Sequence, residues 1–156
     1  MKKVRSINIF IFCLGLVATF MVLFPCLIND ATNDVYTGIQ ILTKTVISDS
    51  DSTYVVRFNP DVFTYIAYIF PTIAGFFTIF FNNKIVTTIS SIMFGISTVL
   101  LFSLPININV IITFLNGSTD YYSTWSYAGG LLIAGSLTLL ATFLNFRKLE
   151  IIDKIK

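Results

Sequence analysis

The sequence predicts an all-α membrane protein, a bundle of four transmembrane helices with a β-hairpin-like extracellular loop between helices 1 and 2. Three observations predict this fold. Four stretches lack Asp, Glu, Lys and Arg over about 20 residues each, which is enough to span a hydrocarbon core of about 30 Å. The composition is 55% hydrophobic and only 12% charged, against about 25% charged residues in soluble domains. The basic residues gather on one side of the apolar stretches.

We predict one domain over residues 1–156, with spans at 7–28, 62–81, 85–104 and 127–146 and external loops at 29–61 and 105–126. A cleaved signal peptide is the alternative for the first span, because basic residues precede both kinds of segment. The apolar region of a signal peptide is about 7–15 residues long. This stretch is longer, and no small-x-small cleavage site follows it. We therefore expect a permanent helix.

The distribution of charge predicts the orientation of the spans. Of the 10 Lys and Arg residues, only Lys44 and Arg57 fall in the two external loops. The same loops hold most of the acidic residues. Lys and Arg are retained on the cytoplasmic side during insertion, and these loops are short enough for that rule to apply. We expect a multi-pass plasma-membrane protein with its N-terminus, its C-terminus and the connection at Lys84 in the cytoplasm.

The first external loop has strand character. Residues 36–42 and 45–47 are rich in strand formers, residues 48–52 read as a turn, and residues 53–58 read as a return strand. A lone two-stranded hairpin is marginal in water, so it must lie on the helix ends or pair with another chain or a further strand. The segment 108–112 in the second loop either lies in the membrane interface or adds such a strand.

Small residues four apart predict how the helices pack, because close backbone approach stabilises helix pairs in lipid. The packing positions predicted in the third and fourth spans are Thr87, Ser91, Gly95, Gly130 and Ala134. Similar residues in the second and first spans are Ala67, Pro71, Gly75, Gly15 and Thr19. Pro71 also predicts a kink, since proline removes a helical hydrogen bond. Oligomerisation through one of these stripes is the alternative.

Several chemistries have no candidate residues. The chain has no histidine, which removes the commonest general base and metal ligand. No Asp, Glu, Lys or Arg lies inside a predicted span, and such residues mark proton relays and ion-coupled transport. Cys13 and Cys26 are placed on one helix, too far apart to pair, as packing residues. We predict no catalytic residue, cofactor, metal site or nucleic-acid partner.

The order helix, β-rich loop, helix, helix, short loop, helix resembles the claudin-like layout. The resemblance is in topology only, because the Trp-Gly-Leu-Trp motif and paired cysteines of that family are absent from residues 29–61. The chain is also similar to small, largely uncharacterised four-span proteins of low-GC Gram-positive bacteria. The shared segments are Tyr-Thr-Gly-Ile-Gln at 36–40, Phe-Asn-Pro at 58–60 and an aromatic-Ile-Phe-Pro segment at 68–71. This resemblance implies the fold and a bacterial plasma membrane, and it carries no activity with it.

The sequence favours a non-enzymatic membrane interaction protein, either an accessory subunit or an immunity-type protector. Its partners would be the lipid bilayer and a membrane protein or a second copy of the chain. The loop residues predicted to contact the partner are Tyr36, Gly38, Gln40, Tyr54 and Arg57. A channel or transporter component is the alternative, because hydroxyl side chains are numerous in the third span. An enzyme acting on lipid or cell-wall precursors near the acidic residues of the loop is a third hypothesis.

Overall fold

The structure is a computed structural model that describes the backbone of residues 2–30, 32–44, 46–48, 54–114, 119–120 and 124–155. The fold is mostly helical. In chain order the helices are α1 (Lys2–Phe20), α2 (Gly38–Leu42), α3 (Val62–Phe80), α4 (Lys84–Asn107) and α5 (Gly129–Ile155). The strands are β1 (Pro25–Asn29), β2 (Val35–Thr37), β3 (Val46–Ser48), β4 (Tyr54–Phe58), β5 (Val110–Phe114), β6 (Thr119–Asp120) and β7 (Trp125–Tyr127).

Four helices, α1, α3, α4 and α5, are long and apolar enough to cross a membrane. The predicted set of four long apolar helices with an antiparallel β element is therefore confirmed. Each long helix packs against two others, in the order α1, α3, α4, α5, and α5 closes the ring against α1. The bundle has two ends, and we call the end that carries the strands the cap end and the opposite end the termini end.

The stretch predicted as one helix over 7–28 divides into a helix, a turn and a strand. α1 ends at Phe20, a 3-10 turn follows, and β1 begins at Pro25. Proline lacks the N–H that a continuing helix needs, and it biases the preceding residue towards extended backbone. Phe24 accordingly has φ −99° and ψ 166°. The hydropathy of residues 24–28 is that of a span, but proline decides their conformation.

The two cysteines therefore lie in different elements, not on one helix as the sequence predicts. Cys13 is exposed on α1, Cys26 is buried in β1, and both thiols are free. The Cys26 thiol donates to the carbonyl of Phe24 at 3.3 Å, and the Tyr68 hydroxyl donates to the Cys26 sulfur at 3.3 Å. Cys26 thus joins the start of β1 to the middle of α3.

The other long helices also depart from their predicted bounds. α4 continues through Pro105 to Asn107, beyond the predicted end of the third span at residue 104. α5 runs on to Ile155, so most of the charged tail after residue 146 is helical. The Asp61 carboxylate accepts a hydrogen bond from the backbone N–H of Thr64 at 2.8 Å and so forms the N-cap of α3.

The bundle is apolar outside and partly polar inside, which is the reverse of a water-soluble helical bundle. The buried polar side chains of the long helices are Asn8, Thr64, Thr78, Thr87, Ser90, Ser91, Ser97, Thr98, Thr138, Asn145 and Lys148. Large apolar side chains are exposed on all four helices, among them Phe10, Val17, Phe63, Phe76, Ile85, Ile92, Val99, Ile133, Leu140 and Phe143.

A close contact joins α1 and α3 around Gly15. A Cβ atom at Gly15 would collide with the carbonyl oxygen of Pro71, and one at Gly75 would lie 3.3 Å from the Cα of Phe12. Only glycine allows the two backbones to come this near. Gly15 and Gly75 therefore set the close approach of α1 and α3.

Pro71 leaves a carbonyl without its helical partner, and a neighbouring helix supplies another. Because proline has no N–H, the carbonyl of Ala67 cannot make its usual hydrogen bond within α3. The Ser97 hydroxyl of α4 donates to that carbonyl at 2.5 Å. The Thr19 hydroxyl of α1 donates to the carbonyl of Tyr68 at 2.9 Å. Two helices thus satisfy the backbone of a third around its proline.

This arrangement predicts a non-additive effect of two substitutions. Ser97→Ala should lower the free energy of unfolding by about 1 kcal/mol, because it leaves the Ala67 carbonyl buried without a donor. In a Pro71→Ala background the restored N–H at residue 71 can satisfy the same carbonyl, so Ser97→Ala should cost much less. Denaturant unfolding of the four proteins in detergent micelles measures the difference.

The matched control is Ser103→Ala, since the Ser103 hydroxyl donates to Leu100 in its own helix at 3.1 Å. Its cost should be the same whether residue 71 is proline or alanine. Equal costs of Ser97→Ala in both backgrounds would show that the Ala67 carbonyl does not depend on Ser97.

Candidate interaction surface

The two loops between the long helices form one β-structured cap. One sheet has the strand order β2-β1-β7 and the other has the order β3-β4-β5-β6. Each sheet therefore contains strands that precede α3 and strands that follow α4. The antiparallel pairs β1–β7 and β4–β5 join the two segments.

Part of this cap is predicted by the sequence. β3 pairs antiparallel with β4, with Val46 opposite Arg57 and Ser48 opposite Val55, which is the hairpin predicted in the first loop. The turn predicted within residues 48–52 lies mostly outside the described residues. For the second loop, the sequence leaves open whether the segment 108–112 lies in the membrane interface or adds a strand. The structure has a strand there, because β5 pairs with β4 over five positions from Tyr54–Phe114 to Phe58–Val110.

The strand predicted over residues 36–42 is wrong beyond Thr37. β2 ends there and a short helix, α2, follows. The Thr37 hydroxyl accepts from the backbone N–H of Gln40 at 3.3 Å, and the Gln40 side chain accepts from the backbone N–H of Thr37 at 2.8 Å. This reciprocal pair is a capping box, whose Thr-x-x-Gln pattern is visible in the sequence. Gly38 is required by space, since a Cβ there would lie 2.8 Å from the Val22 side chain.

Three aromatic rings from three strands form the centre of the cap. The ring centroids of Tyr36 and Phe58 lie 5.0 Å apart, those of Tyr36 and Trp125 lie 5.6 Å apart, and those of Phe58 and Trp125 lie 5.7 Å apart. Their edge-to-face and tilted arrangements are favourable for aromatic pairs. Because the three rings come from β2, β4 and β7, they hold both sheets in one packed unit.

The polar rim of this cluster is formed by Asp34. The Tyr54 hydroxyl donates to the Asp34 carboxylate. Burial, and next the negative charge of Asp34, raise the pKa of the Tyr36 hydroxyl above its usual value of 10.0. Tyr36 therefore stays neutral over the physiological pH range. Because the folded cap raises this pKa, the neutral Tyr36 hydroxyl contributes to the free energy of unfolding at neutral pH. That contribution is lost only in strong alkali, as the pH rises through the raised pKa.

The five loop residues predicted to contact a partner occupy different environments. Tyr36 and Gly38 are buried, Gln40 and Tyr54 are partly buried, and Arg57 is exposed. Tyr36 belongs to the aromatic cluster and Gly38 contacts Val22. Gln40 completes the capping box of α2, and Tyr54 donates to Asp34. Of these five side chains, only that of Arg57 is exposed.

An outward face lies on β4 and β5 beside Arg57. Val56 and Phe58 point into the core at 1% and 0% exposure, so the alternate residues Val55 and Arg57 point away from it. On β5, Ile111 lies opposite Arg57 and Thr113 lies opposite Val55. We call Val55, Arg57, Ile111 and Thr113 the outer face of the cap. Sequence reasoning missed Val55, Ile111 and Thr113, although the alternation along residues 54–58 carries the signal.

The predicted packing residues of the third and fourth spans also divide. Thr87, Ser91, Gly130 and Ala134 are buried, whereas Gly95 is partly exposed. A Cβ atom at Gly130 would lie 2.6 Å from the Pro25 carbonyl, and one at Gly95 would meet nothing within 4 Å. Gly130 is thus needed where α5 meets the start of β1.

A groove of about 350 Å³ opens at the cap end between α3 and α4. Its polar lining includes Asp61, Thr64, Ser103 and Asn107. The Asp61 carboxylate is occupied as the cap of α3, with Thr64 donating through both its N–H and its hydroxyl at 2.8 Å. Within the described ranges no three His, Cys, Asp or Glu residues lie close enough to hold a metal ion. The Asp61 side chain in this groove is therefore already engaged by Thr64.

Known proteins do not identify this chain. No protein-family model matches it, and neither a curated protein nor a solved structure matches it significantly. The likeness to small four-span proteins of Gram-positive bacteria therefore stays a prediction from the motifs.

The chain has one tryptophan, so its fluorescence reports on the aromatic cluster. Phe58→Ala should open a cavity beside Trp125, cost about 3–5 kcal/mol and shift the emission to longer wavelength as water reaches the indole. The control is Phe114→Ala, because the Phe114 ring contacts Tyr54 at 6.2 Å and is 36% exposed. Identical emission spectra for Phe58→Ala and the unsubstituted protein would contradict the packed cluster.

Proposed function

We propose that this chain is a four-span plasma-membrane protein that binds another membrane protein through the outer face of its cap, as an accessory subunit or an immunity-type protector. It has no enzymatic activity of its own in this proposal. The observation that carries the proposal is a cap made rigid by strands from both loops, which presents Val55, Arg57, Ile111 and Thr113 away from the bundle.

Membrane insertion is supported by the reversed polarity of the bundle. Exposed Phe, Ile, Leu and Val side chains surround all four long helices, and in water such continuous apolar surfaces would drive aggregation. In lipid they are solvated, while interior hydroxyls such as those of Thr87, Ser97 and Thr98 find partners within the protein. The basic residues near the termini and at Lys84 support a cytoplasmic termini end.

Strand edges support binding to a partner. Within the described ranges the outermost strands of the two sheets are β2, β7, β3 and β6. Backbone groups on such edges can pair with a strand of another chain, and the side chains of the neighbouring face then give specificity. Arg57 adds a positive charge to loops whose other charged residues, apart from Lys44, are acidic.

The alternative function, a channel or transporter component, receives less support. Most hydroxyls of the third span bond within the bundle: Thr87 and Thr88 donate back to Asn83 and Lys84 of the same segment, and Ser97 donates to α3. Ile11 and Phe94 are fully buried in the centre and fill the space that a polar path would need. We expect tight liposomes that contain the purified protein to remain impermeable to ions.

Cysteine labelling tests the orientation. In a background with Cys13→Ala and Cys26→Ala, Arg57→Cys should react with a membrane-impermeant maleimide added to intact cells, because the outer face lies outside. Lys84→Cys should react only after the cells are permeabilised. A gel-shift assay measures the labelling. Reaction of Lys84→Cys in intact cells would invert or abolish the proposed topology.

Site-specific photocrosslinking tests partner binding. A photoreactive residue at position 57 or 113 should give adducts of one common mass in native membranes, and Ile111→Asp should abolish both by placing a charge in the contact. Position 143, an exposed Phe on α5, is the lipid-facing control and should give no such protein adduct. Adducts of twice the chain mass would assign the face to self-association, and the absence of any protein adduct would overturn the proposal.

A further inference from the structure

A layer of buried polar side chains lies at the termini end, apart from the cap. It draws on α1, α4 and α5, and its members are Asn8, Thr87, Ser90, Ser91, Asn145 and Lys148, each at most 3% exposed. A basic side chain with no exposure inside a predominantly apolar bundle is costly unless something offsets its charge. The sequence places Lys148 in a charged tail and gives no sign that it is enclosed.

Hydrogen bonds place these residues at one level of the bundle. The hydroxyl of Thr98 donates to that of Thr138 at 2.9 Å, so these positions of α4 and α5 are adjacent. The two helices run antiparallel, because α4 leads into the cap strands and α5 follows them. Two helical turns further towards the termini end, about 7 residues along each helix, come Ser91 and Asn145. Lys148 follows Asn145 by three residues and therefore shares its face of α5.

Lys148 and Asn8 connect the layer to the end of α3. The Lys148 ammonium donates to the carbonyls of Thr78 at 3.3 Å and Phe81 at 3.5 Å. The Asn8 amide donates to the Asn82 side chain at 2.5 Å. Carbonyls at a helix C-terminus attract a cation, but they do not neutralise it. The Glu150 carboxylate is exposed and pairs with Arg147, and no described carboxylate forms an ion pair with Lys148.

Several polar atoms of this layer have no hydrogen-bond partner among the residues that the structure describes. They are the Asn8 Oδ1, the hydroxyls of Ser90 and Ser91, and both polar atoms of the Asn145 side chain. Buried polar groups are normally hydrogen-bonded, and each exception costs free energy. The donors among them are the Asn145 amide N–H and the two serine hydroxyls. Together with the buried Lys148 ammonium group, these donors indicate a bound species that supplies hydrogen-bond acceptors and negative charge.

We propose that this layer is a binding site for a small inorganic anion, of which chloride is the type, held by Lys148 Nζ, the Asn145 amide and the Ser91 hydroxyl. An ammonium, an amide N–H and a hydroxyl are donors suited to a halide. Water would satisfy the amide and the hydroxyl, but it would leave the charge of Lys148 unbalanced. A monatomic ion also fits a tightly packed layer better than a phosphate does.

The anion enters from the termini end. Between this layer and the cap, a cluster of buried apolar side chains fills the bundle, with Ile11 and Phe94 fully enclosed and Leu14 at 8% exposure. Packed side chains therefore separate the site from the cap end of the bundle. It is separate from the proposed partner-binding face, and neither proposal depends on the other.

Thermal unfolding in detergent tests the site with chloride and bromide as the probes and gluconate as the matched salt at constant ionic strength. The halides should raise Tm saturably, by about 5 °C at high concentration, because they bind the folded state alone. Lys148→Met should abolish the halide dependence. Lys154→Met, an exposed lysine on the same helix, should leave it unchanged.

Asn145→Leu is the second variant and serves if Lys148→Met does not fold. It keeps the lysine and should raise at least tenfold the halide concentration that gives half of the maximal increase in Tm. A crystal soaked in bromide should show an anomalous peak beside Lys148. Equal Tm values in chloride and gluconate, an undiminished halide effect in Asn145→Leu, or ordered water alone beside Lys148 would each overturn the proposal.

Discussion

The outward faces of the four long helices carry apolar side chains, so the polar groups between the helices have only one another as partners. This constraint explains the contacts around Pro71. The carbonyl that proline leaves free would remain unsatisfied in a hydrocarbon environment, and Ser97 reaches across from α4 to bond it. Thr19 does the same for the next carbonyl from the opposite side.

The same constraint gives the layer around Lys148 its significance. Near Pro71 the hydroxyls of Ser97 and Thr19 donate to carbonyls and that of Thr72 donates to Thr19, so the polar interior is locally balanced. At the termini end, polar atoms of Asn8, Ser90, Ser91 and Asn145 have no hydrogen-bond partner among the described residues. The buried ammonium group of Lys148 has no described carboxylate to pair with. This contrast between the surroundings of Pro71 and the layer around Lys148 supports the proposal that a bound anion completes the layer.

The sequence predicts the long helices well because uncharged stretches of about 20 residues have few other stable structures. It does not predict where α1 ends, since residues 24–28 are as apolar as the helix before them and Pro25 alone marks the change. The pairing of β1 with β7 and of β4 with β5 joins segments far apart in the chain, and strands of so few residues carry no register signal of their own. The capping box of Thr37 and Gln40 and the alternation around Val56 were readable, but β-branched residues nearby favoured a longer strand.

The pairing of β1 with β7 has a consequence for how the protein is made. β1 leaves the ribosome directly after α1, yet its partner residues Trp125, Ser126 and Tyr127 immediately precede α5. During synthesis the first strand must therefore wait, with one edge unpaired, until almost the whole chain has emerged and the last helix is inserting. Completion of the β2-β1-β7 sheet is therefore a late step of assembly. A chain that stalls before β7 would lack Trp125 in the aromatic cluster of the cap, although β4 and β5 could already pair.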